Sequence, residues 1–151
     1  MDSIVKEAIK RANEEKRAFV REGEDDEILE MLHELKTIIR VVGIGGSGCN
    51  TISRMYDEGI EGAELIAINT DVQHLYYTKA DRRVLIGKKR TRGLGAGSLP
   101  QVGEEAAREN EEEIKALLEG SDLVFITCGL GGGTGTGAAP IVAEAAQDAG
   151  A

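Results

Sequence analysis

The sequence has no tryptophan, and aromatic residues make up only 3% of it. That scarcity argues against an aromatic stacking platform for single-stranded nucleic acid. Net positive charge is missing too: 18 Lys and Arg stand against 27 Asp and Glu, a formal charge of −9 at pH 7. A phosphate backbone would be repelled overall, so no nucleic-acid partner is expected. Cysteine is limited to Cys49 and Cys128, far apart and at no metal-binding or redox spacing, which reads as free thiols in a reducing cytosol. No apolar run approaches the ~20 residues that cross a bilayer, and the first residues lack the apolar stretch of a secretory leader. The expectation is a soluble, cytoplasmic protein without direct membrane insertion.

What the chain does have is glycine, 20 residues in 151, and a 41% hydrophobic share suited to a core of Val, Ile, Leu and Ala under helices. Such a length amounts to one domain, and a compact chain of this size buries ~70% of its unfolded surface. Ile4, Val5, Ala8, Ile9 and Ala12 fall at helical spacing among charges, and Ile28, Met31, Leu32 and Leu35 repeat the pattern after the polar break "REGEDDE". Residues 1–36 therefore read as an N-terminal helical extension packed on or tethered to a main domain over 37–151.

From residue 37 the pattern changes. "TIIRVV" (37–42), "AELIAINTD" (63–71), "RRVLIG" (82–87) and "SDLVFITC" (121–128) read as four strands. A helix is expected over "NTISRMYDEG", one long helix over 101–120 with Pro100 at its start, and another over 138–151. The segment 88–100 reads as one long glycine loop. Strands alternating with helices imply right-handed crossovers and a doubly wound, mostly parallel α/β sheet, with ligands beyond the strands' C-terminal ends. The fourth strand then keeps one unpaired edge, and the expectation is a fragment of a longer protein. His33 and His74, each without a ligand-spaced partner, read as surface or helix-face residues, "KKRTR" as a solvated loop, and "ENEEE" as an outer helix face.

The strand ends supply polar loops, of which 43–50 and 129–137 are glycine-rich and lead directly into helices. Glycine lets the backbone turn at positive φ and approach phosphate oxygens with no Cβ in the way. No loop carries the Lys-Ser/Thr pair of a P-loop, so phosphate charge must be met by backbone amides, helix N-termini and a magnesium ion. Asp71 is a candidate for positioning water around that ion, and equally a candidate helix N-cap. Gly43, Gly45 and Gly48 fit G-x-G-x-x-G, and Asp71 lies 23 residues beyond Gly48, which keeps an NAD-binding Rossmann oxidoreductase open as the alternative. That alternative leaves "GGGTGTG" (131–137) unexplained, whereas a nucleotide polyphosphate gripped from two sides uses both loops.

These residues resemble the FtsZ family of tubulin-like cell-division GTPases, and its archaeal members most of all. "GGGTGTG" matches the family signature GGGTG[ST]G; "GIGGSGCN", "NTD" and "GLGAGSLP" match its other nucleotide loops, in order, over 38–151. The resemblance implies a GTP- and GDP-binding site with Mg2+. It places Gly46, Ser47, Gly48 and Cys49 at the phosphates, Asn50 toward the guanine and ribose, and Gly45 in the same GTP-binding loop. Thr70 and Asp71 would lie beside the phosphates and magnesium. Gly95, Ala96 and Gly97 would sense the γ-phosphate, Gly133, Thr134 and Gly135 would wrap the β- and γ-phosphates, and Gly131, Gly132, Thr136 and Gly137 would complete this GTP-binding loop. It also implies head-to-tail self-assembly, division-ring and membrane-tethering partners, a mid-cell ring, and GTP hydrolysis at subunit junctions in the full-length protein. The family's acidic catalytic loop, N-x-D-x-x-[DE], is not among these residues, so the chain alone is expected to be inactive and holds no catalytic residue.

Overall fold

The β-branched run after residue 37 becomes the first strand, β1 (Ile39–Ile44), and its glycine-rich continuation is not a loop. Gly45, at φ +70°, turns the chain directly into helix α1 (Gly45–Asp57), so most of the expected first glycine loop is the opening turn of a helix. The elements that follow are β2 (Ala63–Asn69), α2 (Val72–Tyr77), β3 (Arg82–Leu85), α3 (Lys88–Thr91), α4 (Pro100–Glu109), α5 (Glu111–Leu118), β4 (Leu123–Cys128) and α6 (Thr134–Asp148). The computed structural model describes residues 28–32 and 35–151; the helix expected over 2–19, the polar break at 21–27 and His33 lie outside them. Two compact units divide the chain at Lys36, and within the first, residues 28–32 are helical.

All strand pairs in the second unit are parallel, in the order β3-β2-β1-β4. Residues of β1 and β2 alternate between two apolar layers, as pleating requires. Val42, Ile44, Ile66 and Ile68 pack with Ala106, Ile114, Leu118, Ile141 and Val142 from α4, α5 and α6. On the other face Val41, Leu65 and Ala67 meet Cys49 and Ile52 of α1 and Leu75 of α2. Burial on both faces explains the unbroken apolar runs of these two strands. Among the described residues β4 pairs only with β1, which leaves the one unpaired edge expected of it, and unlike the central strands it has one open face, with Leu123 and Phe125 44% and 53% exposed.

Three local details depart from the sequence reading. A short helix, α2, occupies 72–77, where none was expected; the Asp71 carboxylate caps it by accepting from the His74 N–H at 2.9 Å. The segment 88–91 is a helical turn rather than part of a loop. The long helix over 101–120 is two helices, broken at Asn110, whose backbone sits at φ −114°, ψ 21°. Its side chain explains the break: Oδ1 accepts from the Gly87 N–H at 2.9 Å and Nδ2 donates to Glu113 at 2.7 Å.

Candidate functional site

Parallel strands deliver their C-terminal ends, and the loops that follow, to one edge of the sheet. Beyond β1 and β4 that edge opens into a cleft of about 260 Å3, lined by Gly45, Gly46, Ser47, Leu130 and the run from Gly132 to Gly135, among others. The helices that start at the cleft, α1 and α6, carry no side-chain cap: Ile44 and Gly133 occupy the N-cap positions. Their first N–H groups lack the usual Ser, Thr or Asp oxygen, and both helix dipoles present their positive ends there. Backbone donors converging from two helices form a site for an anion. A larger groove, about 590 Å3, runs between α4 and α6 past Glu104, Arg108 and Glu144. It is an open surface groove lined with carboxylates, unsuited to a polyphosphate.

Close backbone approach explains the glycines. A Cβ on Gly45 would come within 3.0 Å of the Gly135 nitrogen, and one on Gly129 within 2.8 Å of the Ser47 Cβ. On Gly133 it would lie 2.8 Å from the Ala96 Cβ and 2.9 Å from the Leu99 nitrogen. The first, third and fourth loops therefore close on one another through positions where only glycine fits. Gly48 serves the packing of α1 instead. Its Cβ would sit 2.5 Å from the Thr127 carbonyl oxygen and 2.7 Å from Gly43, so glycine there permits α1 to lie against β1 and β4. Gly46 and Ser47 are exposed on the cleft, and nothing lies within 4 Å of a Cβ on Gly46.

The second loop ties the others together. Buried Thr70 shares a hydroxyl–hydroxyl hydrogen bond of 2.7 Å with Thr134. Its carbonyl accepts from the Gly95 N–H at 3.2 Å and from the Thr91 hydroxyl at 3.3 Å. Asp71 bridges Leu94, and the Val72 N–H donates to the Gly93 carbonyl at 3.0 Å. Thr136 accepts from the Gly131 N–H at 3.0 Å, which shapes the turn ahead of α6. Gly95, Gly97 and Gly131 all take positive φ.

Not every predicted site residue reaches the cleft with its side chain. Cys49 is fully buried, its thiol 3.7 Å from the Ile68 carbonyl, and burial pushes its pKa up to about 11 against the opposing influence of Thr78 and Asn69. It is an inert thiol at neutral pH, and with the whole residue at 0% exposure it does not line the cleft, against the expectation that it contacts phosphate. Asn50 is exposed, and its Oδ1 lies 3.2 Å from His74 Nε2. His74 is thus no isolated surface residue; its other ring nitrogen meets Asn69 at 3.3 Å. Sequence reasoning missed it because its partners stand 5 and 24 positions away, on two different elements.

Among the described residues, no group of three or more His, Cys, Asp and Glu side chains is placed to hold a metal. A magnesium ion is therefore compatible with this site only if phosphate oxygens and water supply most of its ligands, which suits its preference for keeping several waters. Asp71, half-buried and with one carboxylate oxygen engaged at the His74 N–H, is the acidic side chain beside Thr70 and Gly95. No described helix is long and apolar enough to cross a membrane.

Residues 38–151 match the Tubulin/FtsZ family, GTPase domain. The chain belongs to this family. It is 75% identical over its whole length to cell division protein FtsZ 1 of Archaeoglobus fulgidus, of which it covers 42%, and 54% identical to FtsZ of Haloferax mediterranei, of which it covers 43%. The chain thus spans about two fifths of the length of these curated relatives. Among solved structures it resembles an empty FtsZ dimer from M. jannaschii, with TM-score 0.78 and 62% identity, over 87% of this chain and 38% of that one. A GTPgS-bound protofilament of CetZ2 from Haloferax volcanii aligns with TM-score 0.64 at 28% identity, over 72% of this chain and 35% of that one. These matches establish the doubly wound sheet as the tubulin/FtsZ fold and lend no support to the nicotinamide oxidoreductase reading.

Proposed function

We propose that this chain is the phosphate-binding part of a cytoplasmic GTPase that assembles head to tail in cell division. Residues 37–151 form the nucleotide-binding unit and residues 1–36 an extension to it. The observation that carries this reading is the cleft where two uncapped helix N-termini and three interlocked glycine loops meet. Family membership and the likeness to a GTPgS-bound protofilament and an FtsZ dimer support guanine nucleotide as the ligand and a second copy as the partner.

In this proposal the first amides of α1, at Gly45, Gly46 and Ser47, and those of α6, from Gly133 to Gly135, hold the polyphosphate from two sides. Each amide bond to a charged oxygen contributes ~1.5–3 kcal/mol. The Thr134 hydroxyl, oriented by Thr70, donates to the terminal phosphates. Gly95, Ala96 and Gly97, tied to Thr70 through the Gly95 N–H, register whether a γ-phosphate is present. Asn50 takes the nucleoside end. Bound Mg2+ would neutralise phosphate charge, and Asp71 would orient water around it. Hydrolysis draws its catalytic carboxylates from outside this chain, which alone is inactive. The full-length protein would reach a mid-cell ring through division-ring and membrane-tethering proteins.

The test is assembly. Full-length protein mixed with GTP and Mg2+ should sediment as filaments, and nucleotide extracted from it should be guanine. A protein that stays monomeric without turnover, or that releases nicotinamide, would refute the proposal. Thr134→Ala should weaken triphosphate binding and slow hydrolysis; wild-type values for both would remove that loop from the mechanism.

A further inference from the structure

Asn69, at the end of β2, has a fixed amide orientation. Its Oδ1 accepts from the Thr70 N–H at 2.8 Å and from the Asp71 N–H at 3.3 Å. Flipping the amide would set its N–H2 against two backbone donors, so Nδ2 must be the atom that faces His74 Nδ1 at 3.3 Å. Because Nδ2 only donates, Nδ1 must accept and carry no proton. The imidazole proton therefore resides on Nε2, which donates to Asn50 Oδ1 at 3.2 Å. The backbone of His74 is held at both ends: its N–H by the Asp71 carboxylate, and its carbonyl by the Thr78 hydroxyl at 2.9 Å.

The chain of donors and acceptors thus runs from the strand end to Asn50, exposed on α1 about one turn beyond the cleft-lining Gly46 and Ser47. Asn50 Oδ1 is occupied, and its Nδ2 makes no hydrogen bond among the described residues. We propose that the Asn69–His74 pair is a positioning relay that fixes the Asn50 amide with its N–H2 outward, so that this chain reads a hydrogen-bond acceptor on the nucleoside. A purine ring nitrogen or a ribose oxygen is the matching chemistry. The inference rests on the nucleotide-binding reading above and assigns His74 a role in it. His74 acts through Asn50 and touches neither phosphate nor reacting water.

The experiment measures affinity of the full-length protein for fluorescent GTP and GDP analogues. His74→Phe keeps the ring and removes both hydrogen bonds. His74→Gln keeps one donor and one acceptor. Both are made in wild-type and Asn50→Ala backgrounds. Loss of one oriented hydrogen bond predicts about five-fold weaker binding for His74→Phe. The weakening should be equal for GTP and GDP, because the relay serves the nucleoside and not the γ-phosphate. In the Asn50→Ala background, His74→Phe should produce no further loss, and His74→Gln alone should stay within about two-fold of wild type. The imidazole 15N spectrum of the GDP-loaded protein should show the Nε2–H form for the signal that His74→Phe removes. A loss as large without Asn50 as with it, a loss confined to GTP, or an Nδ1–H signal would overturn the relay. So would wild-type affinity for His74→Phe, or a His74→Gln that binds no better than His74→Phe. Should the unmutated protein bind no guanine nucleotide at all, the proposed function fails first, and the two failures are told apart by that control.

Discussion

Where the strands begin, charged side chains close the sheet; where they end, backbone amides and hydroxyls leave it open. At the first edge Arg40 and Glu64, adjacent in the β1–β2 register, pair at 2.8 Å, and Arg82 joins Glu64 at 2.6 Å. Arg40 also donates to the Glu119 carbonyl at 2.9 Å and to the Ser121 hydroxyl. Asp122 accepts the Ile38 N–H at 2.6 Å, and Asp81 the Leu65 N–H at 2.7 Å. Positive and negative groups there satisfy each other. At the opposite edge the linkages are Thr70 to Thr134 and Gly95 to Thr70, and the amides that open α1 and α6 have no side-chain acceptor. The first edge is electrostatically complete. The second leaves the N-termini of α1 and α6 without a side-chain cap, the opening that the proposed function fills with phosphate.

Substitution separates the glycines that serve packing from those that serve a ligand, and the largest effect belongs to packing. A methyl group on Gly137 would overlap the Pro100 carbonyl oxygen and stand 2.6 Å from the Glu104 nitrogen, forcing α4 and α6 apart. Gly137→Ala should cost about 3 kcal/mol in urea unfolding, the upper part of the usual range for overpacking. A shift below about 1 kcal/mol would mean the two helices are not in register as described.

A second, slightly smaller effect is alkaline. Cys49 titrates near 11 in the folded protein against an ordinary value of 9.0. Above pH 9 the unfolded chain releases this proton while the folded chain keeps it, so stability contributed below pH 9 is lost as pH rises to about 11. The loss amounts to about 2–3 kcal/mol. Unfolding free energies from about pH 8 to 11 should fall more steeply for wild type than for Cys49→Ala; parallel curves would show that the thiol reaches water.

The charged edge should respond differently from the cleft. Glu64→Gln removes the partner of Arg40, whose side chain is only 14% exposed, and of the more exposed Arg82. A destabilisation of about 1–2 kcal/mol is expected, between the values for exposed and buried pairs. Nucleotide affinity should not change, and a matching loss of affinity would dissolve the distinction between the two edges. The smallest stability effect is at Gly46, where a methyl group meets no protein atom within 4 Å. Gly46→Ala should stay within about 0.5 kcal/mol of wild type in stability. Its GTP affinity, measured by titration, should nevertheless fall, because the methyl group enters the space assigned to the nucleotide in the proposed function.

Much of this is legible in the order of residues alone. The apolar runs at 37–42 and 63–69 place the central strands, and their unbroken character anticipates burial on both faces. Pro100 marks the start of α4, and Asp71 is recognisable as a cap. The glycine loops and their order point to the family. Failures arise where a side chain reaches a distant partner. Asn110 looks like one more residue in a helix until its amide finds Gly87, 23 positions earlier. Asp71 organises a turn too short for periodicity to register, and so α2 escapes a reading by pattern. Phe125 and Leu123 have the composition of covered strand positions, yet coverage depends on what lies beside β4.

By itself the sequence determined which segments alternate as strand and helix and which glycines stand at strand ends, because hydrophobic period and backbone freedom are properties of neighbouring residues. Only the tertiary structure decided that Thr70 would meet Thr134 across 64 positions, that Ala96 would press on Gly133, and that His74 would stand between Asn69 and Asn50. Those contacts follow from the order β3-β2-β1-β4, which brings four strand ends to one edge. A local pattern supplies each loop, but the distance between two loops is set by the strands that carry them.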